Sequence, residues 1–230
     1  MVPALLYLLF KKYVIRNWPA IHRRLSRFGF PRNFLLMMAF LLLLLLKIVS
    51  LKAQEEQLHY NVVRNGKTIG WTTITKSSTE HNTNFRLKSH VKARLIFQFI
   101  AEAMEEAAFL DGSLVYSSQF RKMNGDVKEN KSMKLTREGY EMYKGQDTER
   151  LKFSPLHNHM LCLYFEEPIQ SSKVYSDSFQ QLLNITKTAD GGYKVNLPDG
   201  NSSSYYYKNG ICTNVKIDHR FYSAEMVLSQ

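Results

Sequence analysis

The sequence lacks the motifs that mark the common enzyme classes. It has no G-x-S-x-G nucleophile elbow and no glycine-rich phosphate loop, although serine, histidine and aspartate are plentiful. Its only two cysteines are Cys162 and Cys212. They can form one disulfide in an oxidising compartment, or remain two small buried thiols on different strands. Catalysis would therefore have to rest on individual side chains outside any such motif.

Acidic residues are missing from the first 53 positions, which hold nine Lys or Arg and no Asp or Glu. The other 177 residues hold 22 basic and 20 acidic residues. The net charge of +11 therefore divides into +9 on residues 1–53 and +2 on residues 54–230. A basic balance often indicates nucleic-acid binding. Here the charge belongs to the N-terminal segment, so we expect no nucleic-acid partner.

The longest apolar run is too short to span a membrane. Phe34 to Leu46 gives thirteen apolar residues, against about 20 for a spanning helix. A basic stretch precedes the run, and Ala53 follows it just before polar residues. This order predicts a signal helix with cleavage before Gln54. Leu51 is large for the position that it would occupy at the cut, so an uncleaved anchor in the inner membrane is the alternative. Residues 54–230 would then form one exported domain, periplasmic, associated with the outer membrane, or secreted.

Alternating apolar and polar residues predict strands throughout residues 54–230. The clearest strand runs from Phe85 to Phe97, with a cationic face at the even positions. Its apolar face is the candidate ligand-binding face, and the candidate residues are Phe85, Leu87, Val91, Leu95 and Phe97. Asn-Gly or Asp-Gly pairs beginning at residues 65, 111, 124, 199 and 209 are typical of tight hairpin turns.

Two segments favour helix by residue type. Residues 99–110 are rich in Ala, Glu and Met, which are good helix formers. Residues 176–185 begin with serines that can cap a helix. The sequence therefore predicts at most two short helices in an all-β fold. That fold is a mainly antiparallel, strongly curved meander sheet or open barrel of about ten strands.

Several landmarks together resemble a known family. They are NGKTIGW at residues 65–71, FLDGSLV at 109–115, MNGD at 123–126, LYFEEP at 163–168 and YYYKNGIC at 205–212. This order is similar to an exported family from the Bacteroidota that is classed as a domain of unknown function. The resemblance implies an antiparallel β domain, and hence a strand at residues 99–110. More distantly, such domains resemble the curved sheets of periplasmic lipoprotein carriers and receptors, which hold acyl chains. That last step is an analogy of fold.

A few polar residues are candidates for chemistry. His157 and His159 would share a face of an extended segment and are weak candidates for a metal site, which would need a third ligand. The neighbouring Glu105 and Glu106 would point to opposite faces of a strand and cannot act as an acid–base pair. If Glu105 faces inward it is a partly buried carboxylate, or it lies at the rim beside a lysine.

Three functions follow from these features. The first is a non-enzymatic envelope domain that binds or carries an apolar, lipid-like ligand. The second is a structural envelope domain that contacts other proteins and has a filled core. The third is a metal-dependent hydrolase that uses His157 and His159. We expect no cofactor. The partners would be a lipid or another apolar ligand, envelope proteins, and the membrane through an uncleaved N-terminal segment.

Overall fold

The structure, a computed structural model, describes residues 54–94, 98–151 and 154–229. The predicted signal peptide, its cleavage site and the alternative anchor in residues 1–53 lie outside the described residues. None of the helices in these three ranges is long and apolar enough to cross a membrane.

The domain is built on one antiparallel sheet of fourteen described strands, joined mostly to their neighbours in sequence. The strands are β1 (Gln54–Arg64), β2 (Lys67–Ser78), β3 (Asn82–Arg94), β4 (Gln98–Leu110), β5 (Ser113–Met123), β6 (Asp126–Thr136), β7 (Gly139–Lys144), β8 (Asp147–Leu151), β9 (Lys173–Ser176), β10 (Gln181–Lys187), β11 (Tyr193–Asn196), β12 (Ser202–Lys208), β13 (Ile211–His219) and β14 (Tyr222–Leu228). Their order across the sheet is β8 to β1, followed by β14 to β9. The predicted all-β fold is confirmed, but with more strands than the ten expected.

The β1–β14 pairing joins two meanders, one running from β1 to β8 and the other from β9 to β14. Only four residue pairs, from Tyr60–Leu228 to Val63–Glu225, define its register. The side chain of Ser229 extends the junction by donating a hydrogen bond to the carbonyl oxygen of His59, 170 residues away in the chain. Every other strand pair joins elements that are consecutive in sequence.

Hairpin turns are set by backbone conformations that few residues tolerate. Asn65-Gly66, Asp111-Gly112, Asn124-Gly125 and Asn209-Gly210 have positive φ at both residues, as predicted for tight hairpins. At Asp199-Gly200 only Gly200 has positive φ, so this turn is not of the predicted hairpin type.

Residues 154–172, which we call the interior segment, connect β8 to β9 and lie against one face of the sheet. We call this the inner face. The segment contains the only described helix, a short 3₁₀ helix at Met160–Tyr164. Buried apolar side chains of the segment join the core, and they are Leu156, Leu161, Leu163, Tyr164 and Phe165. The ring of Tyr164 packs edge-on against Tyr60 and Tyr205 of the sheet. The core is therefore formed between the inner face and the chain that crosses it.

The predicted helix at residues 176–185 is wrong. This stretch contains the end of β9, a turn, and the start of β10, and Gln181 pairs with Ser176 across the hairpin. Serine can cap a helix, but here the stretch pairs on both sides with neighbouring strands, which outweighs that preference.

Residues 53–230 form a compact unit of their own. All fourteen strands and the whole described core belong to it. A unit that carries its own core has what it needs to fold independently of the residues before it.

Candidate functional site

The inner face of β2–β5 contains three of the predicted ligand-binding residues, Phe85, Leu87 and Val91, and the interior segment covers part of it. Phe85 is 6% exposed and Leu87 is 7% exposed. The ring of Phe85 lies 5.7 Å from that of Phe165 and 5.9 Å from that of Phe109, measured between centroids. The protein's own aromatic side chains therefore occupy the place that a ligand would take at these two positions.

A row of polar side chains borders the covered region. Glu105 lies opposite Leu87 in the register of β3 and β4. Its Oε1 accepts hydrogen bonds of 2.9 Å from both Gln119 and Arg121. The same two side chains donate to the hydroxyl of Ser178, in the β9–β10 turn. Glu105 is thus a partly buried inward carboxylate paired with an arginine, whereas Glu106 pairs with Arg86 on the opposite, outer face.

The polar row also contains a buried cation and an unpaired acceptor. Lys131 is 7% exposed, and its Nζ donates to the carbonyl of Ser178 at 3.3 Å and pairs with Glu129 at 3.2 Å. Gln119 is 2% exposed, and its Oε1 has no hydrogen-bond partner among the described residues. A buried acceptor without a donor is unfavourable, so this carbonyl is available to a donor brought by a ligand or by water.

A second cluster, formed by His159, Asp177 and Ser117, anchors the interior segment to the sheet. Ser117 donates to Asp177 Oδ1 at 2.7 Å, and His159 Nε2 lies 2.8 Å from Asp177 Oδ2. The other ring nitrogen, Nδ1, accepts from the backbone N–H of Leu161 and caps the 3₁₀ helix. Because Nδ1 accepts this hydrogen bond, the proton of the imidazole in contact with Asp177 is the one on Nε2, which donates to the carboxylate.

The charge state of Asp177 follows from these contacts. Burial raises the pKa of its carboxyl, but the attraction and hydrogen bond of His159, the hydrogen bond of Ser117 and the charge of Lys131 outweigh burial and lower the pKa. The carboxylate is therefore held ionised.

The cluster does not form the relay of a serine hydrolase. Ser117 donates to Asp177 rather than to His159, and Ser117 and His159 are 0% and 1% exposed. A serine nucleophile needs a base that takes its proton and a path to substrate. The cluster instead fixes the position of the 3₁₀ helix.

Beyond the polar row, the inner face continues past the interior segment. Register places Ser89 and Val91 of β3 opposite Ala103 and Ala101 of β4, and Phe99 opposite Ala93. Most of these side chains are only half-buried, although Ala93 is buried. Since strands rise about 3.4 Å per residue, this stretch from Ser89 to Ala93 is about 14 Å long. The described part of the inner face beyond the polar row is therefore a strip of mainly small side chains, apolar except at Ser89, with Phe99 at its far end.

The predicted ligand-binding residues thus fall into different surroundings. Phe85 and Leu87 are core residues, whereas Val91 lies in the strip, where it is half-buried at the border of the core. Leu95 and Phe97 lie outside the described residues.

The two predicted metal candidates are separated by the fold. His157 is exposed and its Nδ1 contacts the carbonyl of Gly112, whereas His159 is buried against Asp177. In the part of the chain that the structure describes, no group of three or more His, Cys, Asp or Glu side chains is placed to hold a metal ion. The geometry therefore does not support a site built on the two histidines.

Of the two alternatives for Cys162 and Cys212, the structure has the free thiols and not the disulfide. Cys162 lies on the 3₁₀ helix and Cys212 on β13, where its Sγ contacts the carbonyl of Asn214. Burial is the main cause that raises the pKa of each thiol to about 12. Both therefore behave as small core residues.

Residues 60–229 match the family model described as Domain of unknown function (DUF6134). The chain belongs to this family. A crystal structure of a beta-barrel-like protein of domain of unknown function DUF1849 from Brucella abortus is similar to the DUF6134 chain, with a TM-score of 0.49 and 13% identity over 77% of this chain and 96% of that one. A likeness at this level does not extend to function. No curated protein matches the sequence.

The DUF6134 domain contains interior contacts that its sequence did not reveal. Ser117 and Gln119 of β5 lie about 60 residues from Asp177 in the chain, and no local pattern marks any of the three. The run of six apolar residues from Met160 to Phe165 was the available signal. A run without alternation is typical of a segment buried on both sides.

Proposed function

We propose that the domain is a non-enzymatic binding domain of the bacterial cell envelope that holds an apolar, lipid-like ligand on its inner face. The ligand lies on the uncovered strip formed by β3 and β4, beyond the polar row. The protein is exported by its N-terminal segment to the periplasm or to the periplasmic face of the outer membrane. If that segment is not cleaved, it tethers the domain to the inner membrane.

One observation carries this proposal. From Phe85 to Ala93 the inner face of β3 is apolar except at Ser89, and Phe165 of the interior segment packs on Phe85. At Val91, Ala101 and Ala103 the same face is only half-buried. Apolar surface that stays in contact with water is unfavourable and often marks a binding region. Small side chains at two of these positions leave room for an acyl chain to lie along the strand.

The polar row indicates how the ligand is oriented on the strip. Arg121 is exposed on the inner side of β5, beside the unpaired carbonyl of Gln119 and the buried amine of Lys131. A chain lying on the strip would place its polar end at this row, where Arg121 can pair with an anionic group. We therefore expect a ligand with one acyl chain and an acidic or hydrogen-bonding head.

A structural role is the second candidate, and a specific observation favours it. The aromatic contact between Phe85 and Phe165 fills the centre of the predicted binding face. If other side chains of the protein also fill the strip in solution, no room would be left for a lipid, and the domain would bind envelope proteins instead. The hydrolase alternative has less support, because the two histidines that it needs lie in different surroundings.

The test is ligand binding by residues 54–230. The protein would be purified from an envelope fraction and examined by native mass spectrometry, followed by solvent extraction of any adduct. Binding of palmitate would then be measured by calorimetry. We expect one bound molecule per chain. The substitution Ala103→Trp should fill the strip and weaken palmitate binding at least tenfold.

Ala108→Trp is the matched control, because Ala108 lies on the same strand but pairs with Asn84 on the outer face. It should leave palmitate binding unchanged. Thermal unfolding of each variant checks that it is folded. Absence of any adduct and of palmitate binding in the folded domain, or equal losses in the two variants, would contradict the proposal and favour the structural role.

A further inference from the structure

The outer face of β1–β5 contains an unusual row of rings. The indole of Trp71 lies between the imidazoles of His59 and His90, with ring centroids 6.2 Å and 6.4 Å away and planes inclined by about 20°. Trp71 is nevertheless 40% exposed. Tryptophan buries a large apolar area when it can, so an exposed indole at the centre of a sheet face is a candidate contact point.

Apolar side chains continue from this row across the neighbouring strands. Met104 of β4 is 41% exposed, and it pairs directly with Phe120 of β5. Together with Trp71 they span four adjacent strands from β2 to β5. Large apolar residues that share one exposed face form a patch and are not isolated surface residues.

Cations surround this patch. Lys88 and Lys92 of β3 point to the same outer face and are exposed, as is Arg94 at the end of the strand. Lys122 of β5 lies over the ring of Phe120, with its Nζ 5.5 Å from the centroid. The acidic side chain nearest in register is Glu102, which pairs with His90 and Lys122.

The excess of positive charge here is local. Residues 54–230 as a whole are almost balanced, with 22 basic and 20 acidic residues. Four cations around one carboxylate are therefore a concentration that the composition does not require. Among the described residues, none of these four cations takes part in an ion pair. They are free to meet negative charge from another molecule.

We propose that this outer-face patch docks the domain onto the surface of an anionic phospholipid bilayer. An exposed tryptophan, apolar neighbours and long basic side chains are the combination that suits the membrane–water interface. The indole and the thioether enter the headgroup region, while the lysines keep their amines beside the phosphates. Charge complementarity selects an anionic surface over a neutral one.

The patch also lies close to the proposed ligand strip. Lys92 and Arg94 extend from the outer face of the same stretch of β3 that exposes Val91 inward. Docking would therefore hold the ligand strip, which lies on the opposite face of the same strands, close to the membrane surface. The docking surface does not depend on ligand binding, and the two can fail separately.

Tryptophan fluorescence gives a direct test, because Trp71 is the only tryptophan in residues 54–230. The domain without residues 1–53 would be mixed with vesicles of phosphatidylglycerol and phosphatidylethanolamine, or of phosphatidylcholine alone. We expect cosedimentation, a blue shift of Trp71 emission and protection from acrylamide with the anionic vesicles only. Binding should weaken as salt rises, since exposed charges are screened.

Charge reversal locates the surface. Lys88→Glu/Lys92→Glu should weaken vesicle binding by at least 25-fold, since each cation at an anionic surface contributes about fivefold. Lys194→Glu/Lys216→Glu makes the same charge change on β11 and β13 and should change binding much less. Trp71→Phe should weaken binding while preserving fold.

Three results would overturn the proposal. They are no sedimentation with anionic vesicles, sedimentation without a change at Trp71, and equal losses in the two lysine pairs. Palmitate binding measured on Lys88→Glu/Lys92→Glu separates the two proposals. Its retention alongside lost vesicle binding would show that docking and ligand binding are distinct.

Discussion

The anchoring carboxylate Asp177 can be tested by a nearly isosteric change. Asp177→Asn keeps the volume but leaves one acceptor oxygen where the structure uses two, for Ser117 and for His159. The side-chain NH₂ group of the new asparagine would face either the Ser117 hydroxyl or His159 Nε2, both of which donate to the carboxylate in the native protein. We expect the free energy of unfolding to fall by about 3–5 kcal/mol, the usual result of breaking a buried charged interaction.

The same substitution should change the response to acid. The pKa of Asp177 is lowered from 3.8 in the folded state. Its ionised form therefore stabilises the fold above pH 3.8, and this contribution is lost as the pH falls through the folded pKa. Urea unfolding of residues 54–230 at pH 7 and at steps below pH 4, followed by circular dichroism, measures both effects. Asp177→Asn should lose less stability on acidification than the wild type.

Asp147→Asn is the control, because Asp147 is exposed at the start of β8. It should change stability by no more than about 0.5 kcal/mol. A loss below 1 kcal/mol in Asp177→Asn, or an acid response equal to that of the wild type, would refute the assigned role of the carboxylate.

Three further predictions concern the core. Burial raises the pKa values of the Cys162 and Cys212 thiols to about 12, so both should react slowly with Ellman's reagent in the native protein at pH 8. Both should react in denaturant without reductant. The stability that the protonated thiols contribute is present below pH 9.0 and is lost as the pH rises towards 12. Detection of no thiol in denaturant would mean that they are bonded. Leu161 is 1% exposed, so Leu161→Ala should lower the free energy of unfolding, measured with urea, by about 2–5 kcal/mol. Gly70→Ala should lower the free energy of unfolding by about 1–3 kcal/mol in the same assay, because the new methyl group would lie 2.7 Å from the Cα of Val91. An unchanged urea midpoint would show that β2 and β3 can move apart at this position.

Local pattern was sufficient for the strands that alternate clearly. The odd positions of β3 face inward as predicted, and four Asn-Gly or Asp-Gly pairs adopt the hairpin geometry that their residues favour. Strand β4 is more instructive, since its Ala- and Glu-rich sequence favours helix and only the family resemblance predicted a strand. It pairs along its whole length with β3 and over most of it with β5, so cross-strand pairing outweighs intrinsic propensity.

The parts that the sequence did not predict depend on contacts between distant residues. Ser117 and Asp177 are 60 residues apart, and nothing near either residue indicates the other. The interior segment was likewise not predicted, because short apolar runs do not reveal what covers them. This is why Phe85 and Leu87 were assigned to ligand binding, whereas the fold uses them to receive Phe165.

The junction of β1 with β14 has a consequence for how the domain forms. Either meander can assemble hairpin by hairpin as it is synthesised or exported, since its strands pair with neighbours in sequence. The junction cannot form until β14 has emerged. Until then β1 presents an unpaired edge next to a partly assembled core, and such edges promote association between chains. If the domain is exported as proposed, it would remain in this state while the chain crosses the membrane from its N-terminus, and a chaperone on the far side would be needed most in that interval.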